Sequence, residues 1–248
     1  MKSTACSRLA ERFYLSDFAY AHRGLWTRDG LTENSLEALL EAAQQGLGIE
    51  FDVRPSRDGV PVIFHDPELD RMTTESGRTE ERSAKELVGL TLKGGGEIIA
   101  LEQLLEAWPA KTPLLCEMKV DGNTDPEAFC QTVAALIMEH GGPAAMMSFS
   151  TRAVAAIPDS IMRGQLIAPS EGRTSRNLAE TPRVPVDYLA CHTSDATNAS
   201  LQAAREDRPL ITWTVKDPAT CEALVSFTNS QIFEGFDPTL AKRHILNT

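Results

Sequence analysis

Two short apolar runs of the chain carry charged residues where a buried strand normally has none. Residues 48–53 hold Glu50 and Asp52, and residues 114–120 hold Glu117 and Lys119. Because side chains on a strand alternate between faces, each charged pair shares one face and leaves the apolar residues on the other. Burying carboxylates is costly unless they are paired or coordinate a cation. The arrangement therefore predicts a partner for these acidic groups.

The charges of the two pairs indicate what that partner is. Three carboxylates and one ammonium sum to −2, which one divalent cation neutralises. Ligation by oxygen alone favours a hard ion, Mg²⁺ or Ca²⁺, over zinc. The alternative interpretation is two edge strands, each with one solvated face. Nearby histidines favour the metal site.

Two histidines are expected near the same place. His22 ends the first predicted strand and is followed by Arg23, and His65 follows an apolar run at residues 62–64. An Asp-Gly turn at residues 58–59 predicts a hairpin that returns His65 toward Glu50 and Asp52. Two histidines can serve as base and acid in a displacement at phosphorus. Arg23 and Lys119 supply fixed positive charge for phosphate oxygens.

The elements that position these residues follow a repeating pattern. Strand-like apolar runs alternate with helical patterns from about residue 18 to the end, which favours parallel strands joined by helices. The sequence predicts a single α/β domain over residues 1–248, a (β/α)₈ TIM barrel with a short excursion at about 67–96 after the second strand. Active sites of such barrels lie at the carboxyl ends of the strands. The predicted strands are Phe18–His22, Leu47–Val53, Pro113–Val120, Ala145–Phe149, Ile161–Ala168, Val186–Cys191, Pro209–Val215 and Gln231–Phe236.

The predicted helices fill the intervals between these strands. Asn34 followed by Glu37 is expected to form the N-cap and capping box of the first helix, which would give Asn34 a structural role only. A weaker helix is expected at Ser83–Gly89 within the excursion. The remaining helices are Ser35–Gln45, Leu101–Trp108, Glu127–His140, Arg152–Ile157, Ser175–Glu180, Ser200–Glu206, Ala219–Thr228 and Thr239–Leu246.

Composition narrows the classes of partner. The net charge of −11 opposes general attraction to nucleic acid or to an anionic membrane surface. No apolar run approaches the roughly 20 residues of a membrane span, so stable membrane insertion is not expected. The first 20 residues do not form the pattern of a secretory signal, which predicts a cytoplasmic protein. Five widely spaced cysteines indicate reduced, mostly structural thiols.

An ordered set of short motifs resembles the glycerophosphodiester phosphodiesterase family. The resemblance runs from about Ala21 to Val215, most of the chain, and its specificity lies in the order of the set. The motifs are His22-Arg23-Gly24, Glu33-Asn34, Glu50-x-Asp52, Asp58-Gly59 before Val62, His65-Asp66 with Leu69 and Thr73, Glu117-x-Lys119, Ser148-Phe149 and Trp213-Thr214-Val215.

The resemblance implies a barrel phosphodiesterase that releases glycerol 3-phosphate and an alcohol from small glycerophosphodiesters. It implies that one divalent cation, Mg²⁺ or Ca²⁺, is bound by a set of three carboxylates: Glu50, Asp52 and Glu117. His22 and His65 would be the acid–base pair, with Arg23 and Lys119 on the phosphate. The implied reaction begins with attack by the substrate's own glycerol 2-hydroxyl, with His22 chosen as the base. Water then opens the cyclic phosphate.

One departure from the family pattern lies at the last strand. The family often ends there with Thr-Asp-x-Pro, whereas this chain reads Glu-Gly-Phe-Asp-Pro at residues 234–238. The change concerns substrate fit, and Glu234 or Phe236 is expected to line the pocket instead. Trp213 is either a wall of the substrate pocket or an ordinary packed aromatic.

Two alternative functions stay open at this stage. One is an enzyme that acts on lipid diesters like a lysophospholipase D, or that stops at the cyclic phosphate. A lipid substrate favours an exposed apolar rim, and the polar residues 70–96 offer little of one. The other is a barrel that binds a metal or a phosphodiester without turnover, since a fold alone does not establish function.

Overall fold

The computed structural model describes residues 13–109, 111–122, 124–170 and 184–243. Eight parallel strands close into a barrel, because the strand at Tyr20–His22 pairs with both the strand at Gly48–Pro55 and the strand at Ser230–Phe233. Helices lie between the strands. The predicted (β/α)₈ barrel is confirmed. In chain order the elements are β1 Tyr20–His22, α1 Leu36–Gln44, β2 Gly48–Pro55, β3 Pro61–Ile63, α2 Ala84–Leu87, α3 Leu101–Ala107, β4 Leu114–Met118, α4 Pro126–His140, β5 Ala144–Ser148, α5 Thr151–Ala155, β6 Met162–Ile167, β7 Tyr188–His192, α6 Ala199–Arg205, β8 Leu210–Val215, α7 Pro218–Leu224, β9 Ser230–Phe233 and α8 Pro238–Arg243.

All eight predicted barrel strands overlap an observed strand. The predicted helix at 175–180 lies outside the described residues, and the other predicted helices are present within a few residues of their expected bounds. Three short 3₁₀ turns, at Leu15–Asp17, Thr79–Glu81 and Thr193–Asp195, complete the described structure. Within the described ranges, no helix is long and apolar enough to cross a membrane.

The two faces of β2 explain why charges occur in an apolar strand. Ile49, Phe51 and Val53 are fully buried in the apolar layer between the barrel and its helices. Glu50 and Asp52 alternate with them and therefore point into the barrel. The interior below these carboxylates is apolar, so the polar groups are confined to the carboxyl end of the strands. This apolar interior consists of Leu15, Tyr20, Leu115, Ala145, Met147, Leu166, Tyr188, Ala190, Ile211 and Ile232.

The Asp-Gly turn forms the predicted hairpin. β3 pairs antiparallel with the end of β2, with Val53 opposite Ile63, and Gly59 in the turn has a φ of 80°. On one edge of β2, the Glu50 carbonyl accepts from Arg23 N and the Asp52 carbonyl accepts from Phe64 N. The hairpin thus continues the edge that β1 begins, and this brings His65 beside the first strand.

The excursion after β3 has a small apolar cluster of its own. It contains the turn at Thr79–Glu81 and α2, which has a Ser83–Glu86 capping box. Its buried apolar side chains pack with the end of the hairpin and not with the main barrel layer. The cluster comprises Val62, Phe64, Leu69, Leu87, Leu92 and Ile98.

Gly24 is required where the chain turns from β1 toward α1. Its φ is 86°, and a Cβ there would lie 2.5 Å from the backbone carbon of Ala38. Gly46 has a similar φ of 69° but no neighbouring atom within 4 Å of the Cβ position. The two glycines therefore share a backbone conformation and differ in the space around them.

We expect Gly24→Ala to lower the free energy of unfolding by about 2–4 kcal/mol, because a left-handed alanine and a backbone clash both contribute. Gly46→Ala is the matched control and should lose only about 1 kcal/mol, from the backbone conformation alone. Denaturant unfolding measures both values. Equal losses for the two variants would show that the contact with α1 does not constrain Gly24.

Candidate functional site

Three carboxylates meet at the carboxyl end of the barrel. In the parallel register Asp52 stands beside Glu117, and Glu50 stands beside His22. Glu50, Asp52 and Glu117 are 2%, 1% and 7% exposed. Each offers one oxygen, and these oxygens all lie within 4.8 Å of one another. We call these three residues the carboxylate triad.

The electrostatics of the carboxylate triad fit a divalent cation. Both carboxylate oxygens of Glu50 are buried and accept no hydrogen bond from any described residue. Burial, reinforced by the charges of Asp52 and Glu117, raises the pKa of Glu50 well above its ordinary value. Burial also raises the pKa of Glu117. A buried oxygen cluster of this kind matches the ligands of Mg²⁺ or Ca²⁺ and none of the nitrogen or sulfur ligands typical of zinc.

Two permanent cations flank the carboxylate triad. Lys119 Nζ lies 3.0 Å from Asp52 Oδ1 and 2.5 Å from Glu117 Oε1. Arg23 Nε lies 3.1 Å from Asp52 Oδ2. Burial opposes ionisation of Asp52, but the charges of Lys119 and Arg23 outweigh it and lower its pKa. Burial likewise opposes the charge of Lys119, and its two carboxylate neighbours outweigh that effect and raise its pKa. Asp52 and Lys119 are therefore both charged at neutral pH.

Each of the two histidines bonds a carboxylate through Nδ1. His22 Nδ1 pairs with Glu234, and its Nε2 lies 3.8 Å from Glu50 Oε2. His65 Nδ1 lies 2.6 Å from Asp66 Oδ1. Burial lowers the pKa of both imidazoles, and the paired carboxylate opposes that shift in each case. Because Nδ1 is occupied, Nε2 is the ring nitrogen that can exchange a proton with a bound molecule.

The site opens into a cavity of about 310 Å³. Trp213 lines it and is also packed, since its indole donates to the Ala190 carbonyl at 3.2 Å and its ring meets Phe149 edge-on at 5.6 Å. Trp213 is therefore a packed aromatic that also lines the cavity, and its role toward a substrate stays a prediction. The cavity brings together seven of the eight predicted site residues, and Asp52 is the one that does not line it. The lining residues are His22, Arg23, Glu50, His65, Glu117, Lys119, Met147, Phe149, Leu166, Trp213, Thr214, Lys216 and Ile232.

The expected role of Asn34 is wrong. Ser35 caps α1, since its side chain accepts from Ala38 N at 3.2 Å. Asn34 precedes the cap with a φ of 58° and donates from Nδ2 to Asp52 Oδ2 at 2.9 Å. Its backbone N–H bonds the Arg23 carbonyl, which turns the side chain toward the site. Asn and Ser are both favourable N-cap residues, so the sequence alone does not distinguish Asn34 from Ser35 as the cap of α1. The path of the loop before the helix decides between them.

The last strand also differs from expectation. Neither Glu234 nor Phe236 is among the residues that line the cavity. Glu234 instead holds His22 and accepts from Lys216 Nζ at 3.0 Å, while Phe236 packs on Phe233. Hydrogen bonding to His22 helps to lower the pKa of Glu234 to about 2 although burial opposes it. An acidic residue one position after a barrel strand was the signal available in the sequence.

Three further polar residues surround the site and were not singled out for a role. Glu33 accepts from Arg23 Nη1 at 2.8 Å, and Asp66 holds His65. Arg71, from the excursion, contacts both Glu33 and Asp66. Glu33 and Asp66 both belong to the motifs that carry the family resemblance, whereas Arg71 belongs to none of them.

A family model and curated relatives match this chain. The model of the glycerophosphoryl diester phosphodiesterase family matches residues 22–233. A probable glycerophosphodiester phosphodiesterase 2 of Mycobacterium tuberculosis is 42% identical over 92 residues, 37% of this chain and 34% of the relative. Glycerophosphodiester phosphodiesterase 1 of Rattus norvegicus is 48% identical over 61 residues, 24% of this chain and 18% of the relative. The chain therefore matches about a third or less of the length of these curated relatives.

Solved structures share the fold over nearly the whole chain. A putative glycerophosphoryl diester phosphodiesterase from Silicibacter pomeroyi has a TM-score of 0.78 at 19% identity and covers 97% of this chain and 96% of its own. A phosphodiesterase from Oleispira antarctica, in complex with the product sn-glycerol-3-phosphate, has a TM-score of 0.73 at 23% identity, covering 93% and 97%. At these identities the likeness is one of fold.

If the carboxylate triad binds a metal, Glu50→Gln should affect thermal stability differently with and without metal. Ca²⁺ or Mg²⁺ at about 100 times Kd should raise Tm by about 5–10 °C, and Glu50→Gln should lose this rise because it removes a ligand. In chelator the same variant should be no less stable than the wild type, since one buried repulsive charge is gone. Thermal unfolding with and without metal measures both effects.

The matched control is Glu75→Gln, which changes an exposed carboxylate that pairs with Arg82 and is not part of the triad. It should keep the full metal-dependent rise in Tm. A Glu50→Gln protein that still responds to metal like the wild type would contradict the site.

Proposed function

Because the chain belongs to the glycerophosphoryl diester phosphodiesterase family, we propose that it is a metal-dependent hydrolase of glycerophosphodiesters, releasing glycerol 3-phosphate and an alcohol. The observation that carries the proposal is the carboxylate triad buried beside two histidines, each held by its own carboxylate. The Oleispira antarctica structure of similar fold contains sn-glycerol-3-phosphate as product, which supports the choice of substrate class.

Glu50, Asp52 and Glu117 would hold one divalent cation, Mg²⁺ or Ca²⁺. When bound, the cation would orient the diester and offset negative charge that develops on its oxygens. Arg23 and Lys119 line the cavity as permanent cations and would bind the remaining phosphate oxygens. Asn34 would hold the Asp52 carboxylate in place through its Nδ2 hydrogen bond.

In the first step His22 acts as the base. Its Nε2 removes the proton from the glycerol 2-hydroxyl, the 2-oxygen forms a bond to phosphorus, and the bond from phosphorus to the leaving oxygen breaks. His65 gives its proton to that oxygen, which departs as the alcohol. Glu234 would stabilise the imidazolium that forms on His22, since it accepts from Nδ1.

In the second step the histidines exchange roles. His65, now neutral, removes a proton from water, and the water oxygen forms a bond to the phosphorus of the cyclic phosphate. The bond from phosphorus to the glycerol 2-oxygen breaks, and His22 returns the proton to that oxygen. The product is glycerol 3-phosphate, and both histidines recover their starting states.

The cavity also has apolar lining residues. Trp213, Phe149 and Leu166 line it, and Phe149 remains 42% exposed at the rim. We assign these apolar side chains to the carbon atoms of the substrate, because the charged lining residues would hold the phosphate. A cavity of about 310 Å³ suits a small glycerophosphodiester.

The decisive test is release of glycerol 3-phosphate from glycerophosphocholine, glycerophosphoethanolamine and glycerophosphoglycerol with Mg²⁺, Ca²⁺ or chelator. We expect metal-dependent release that falls about 10²–10⁴-fold in His22→Ala and in His65→Ala, because each removes a proton-transfer group. Glu50→Ala should abolish the metal-dependent release of glycerol 3-phosphate, because it removes a metal ligand. His140→Ala, at the far end of α4, is the matched histidine control and should behave as wild type.

Folded wild-type protein that releases nothing from this panel would move the assignment to lipid diesters or to binding without turnover. Accumulation of the cyclic phosphate in place of glycerol 3-phosphate would identify an enzyme that completes only the first step.

The internal nucleophile gives a separate prediction. A substrate analogue without the 2-hydroxyl should bind in competition with glycerophosphocholine and should not be cleaved, because it lacks the attacking oxygen. Product release from the analogue is measured beside that from the parent diester. Equal turnover of the two would show that water attacks phosphorus directly and would refute the two-step route.

A further inference from the structure

One arginine from the excursion contacts two carboxylates of the site. Arg71 donates to Glu33 from Nη1 at 3.1 Å and from Nη2 at 2.6 Å. It donates to Asp66 from Nη2 at 3.1 Å and also from Nε. The planar guanidinium therefore binds both carboxylates through paired donors, an arrangement that a lysine ammonium cannot reproduce.

Each of these carboxylates holds one of the proposed active-site residues. Glu33 accepts from Arg23 Nη1 at 2.8 Å, and Asp66 Oδ1 lies 2.6 Å from His65 Nδ1. Glu33 is 8% exposed, so its carboxylate has little water to compensate for a lost partner. The chain of contacts runs from Arg23 to His65 with Arg71 at its centre.

The backbone on either side of Arg71 is firmly placed. Leu69 is fully buried and Thr73 is 1% exposed, and Thr73 Oγ1 donates to the Leu69 carbonyl at 3.1 Å. Thr73 also forms a bridge with Leu92 across the excursion. Arg71 itself is 46% exposed and lines no part of the cavity. Arg71 therefore contacts the site through Glu33 and Asp66.

We propose that Arg71 is a positioning residue that holds Glu33 and Asp66 so that Arg23 and His65 face the substrate phosphate together. The inference rests on the proposed function for its effect on turnover. It makes the excursion part of the catalytic apparatus, although no described residue of 67–96 lines the cavity. The excursion would act by fixing the angle between a phosphate-binding cation and a proton-transfer group.

The test compares Arg71→Ala with Arg82→Ala. Arg82 lies in the same excursion and donates twice to Glu75 at 3.1 Å, so it matches Arg71 in type and pairing without touching the site. We expect Arg71→Ala to lower kcat about 10–100-fold with a smaller change in KM, because misplaced groups act mainly in the transition state. Arg82→Ala should keep wild-type kinetics.

The exposure of Arg71 allows chemical rescue. Added ethylguanidinium should restore part of the kcat lost in Arg71→Ala, because a free guanidinium can reach the space between Glu33 and Asp66. Ethylammonium, which has the charge without the planar fork, should not rescue. Arg71→Lys should also have a lowered kcat, because an ammonium lacks the planar fork. It replaces Arg71→Ala as the test variant if the alanine variant folds poorly.

A readout that needs no turnover separates this inference from the proposed function. The ring-nitrogen resonances of His65, observed by NMR in the resting protein, should shift in Arg71→Ala and stay unchanged in Arg82→Ala. Wild-type protein that is inactive on every diester would refute the proposed function, while this shift would still support the positioning contact. Unchanged His65 resonances, together with wild-type kcat in Arg71→Ala, would overturn the role of Arg71.

Discussion

Three carboxylates buried within 4.8 Å of one another are the constraint on which the rest of this structure depends. Such a cluster is strongly unfavourable in an apolar barrel unless positive charge is brought to it. Lys119 and Arg23 supply two positive charges, and both form ion pairs with Asp52, which is the least exposed of the three. Glu50, whose oxygens have no donor among the described residues, is the group that a divalent cation would compensate. The proposal of a metal site thus rests on a charge imbalance within the fold.

The barrel meets this constraint by separating its interior into two levels. Apolar side chains fill the lower level, and the carboxylates, cations and histidines occupy the carboxyl ends of the strands. Parallel register sets the distances, because Asp52 and Glu117 stand side by side and His22 stands beside Glu50. The hairpin adds His65 on the free edge of β2 beyond the end of β1. Two histidines from separate elements therefore face one cavity.

Carboxylates outside the triad fix the histidines. Glu234 and Asp66 each bond an Nδ1 atom, which leaves Nε2 as the ring nitrogen that can exchange a proton with a bound molecule. In this chain a glutamate directly after the last strand supplies that contact for His22, where the family often has a Thr-Asp pair. Despite the departure at the last strand, His22 thus has a carboxylate partner.

The sequence by itself determined the features that depend on local period and spacing. Alternation along 48–53 and 114–120 identified the carboxylate triad and Lys119, the Asp-Gly pair identified the hairpin, and the order of motifs identified the family. The tertiary structure alone decided which distant side chains meet. Asn34 was predicted as a helix cap and instead binds Asp52, and Glu234 reaches His22 from 212 positions away. Hydrogen bonds between distant side chains leave no periodic trace in a sequence, because they depend on loop paths that only the closed barrel fixes.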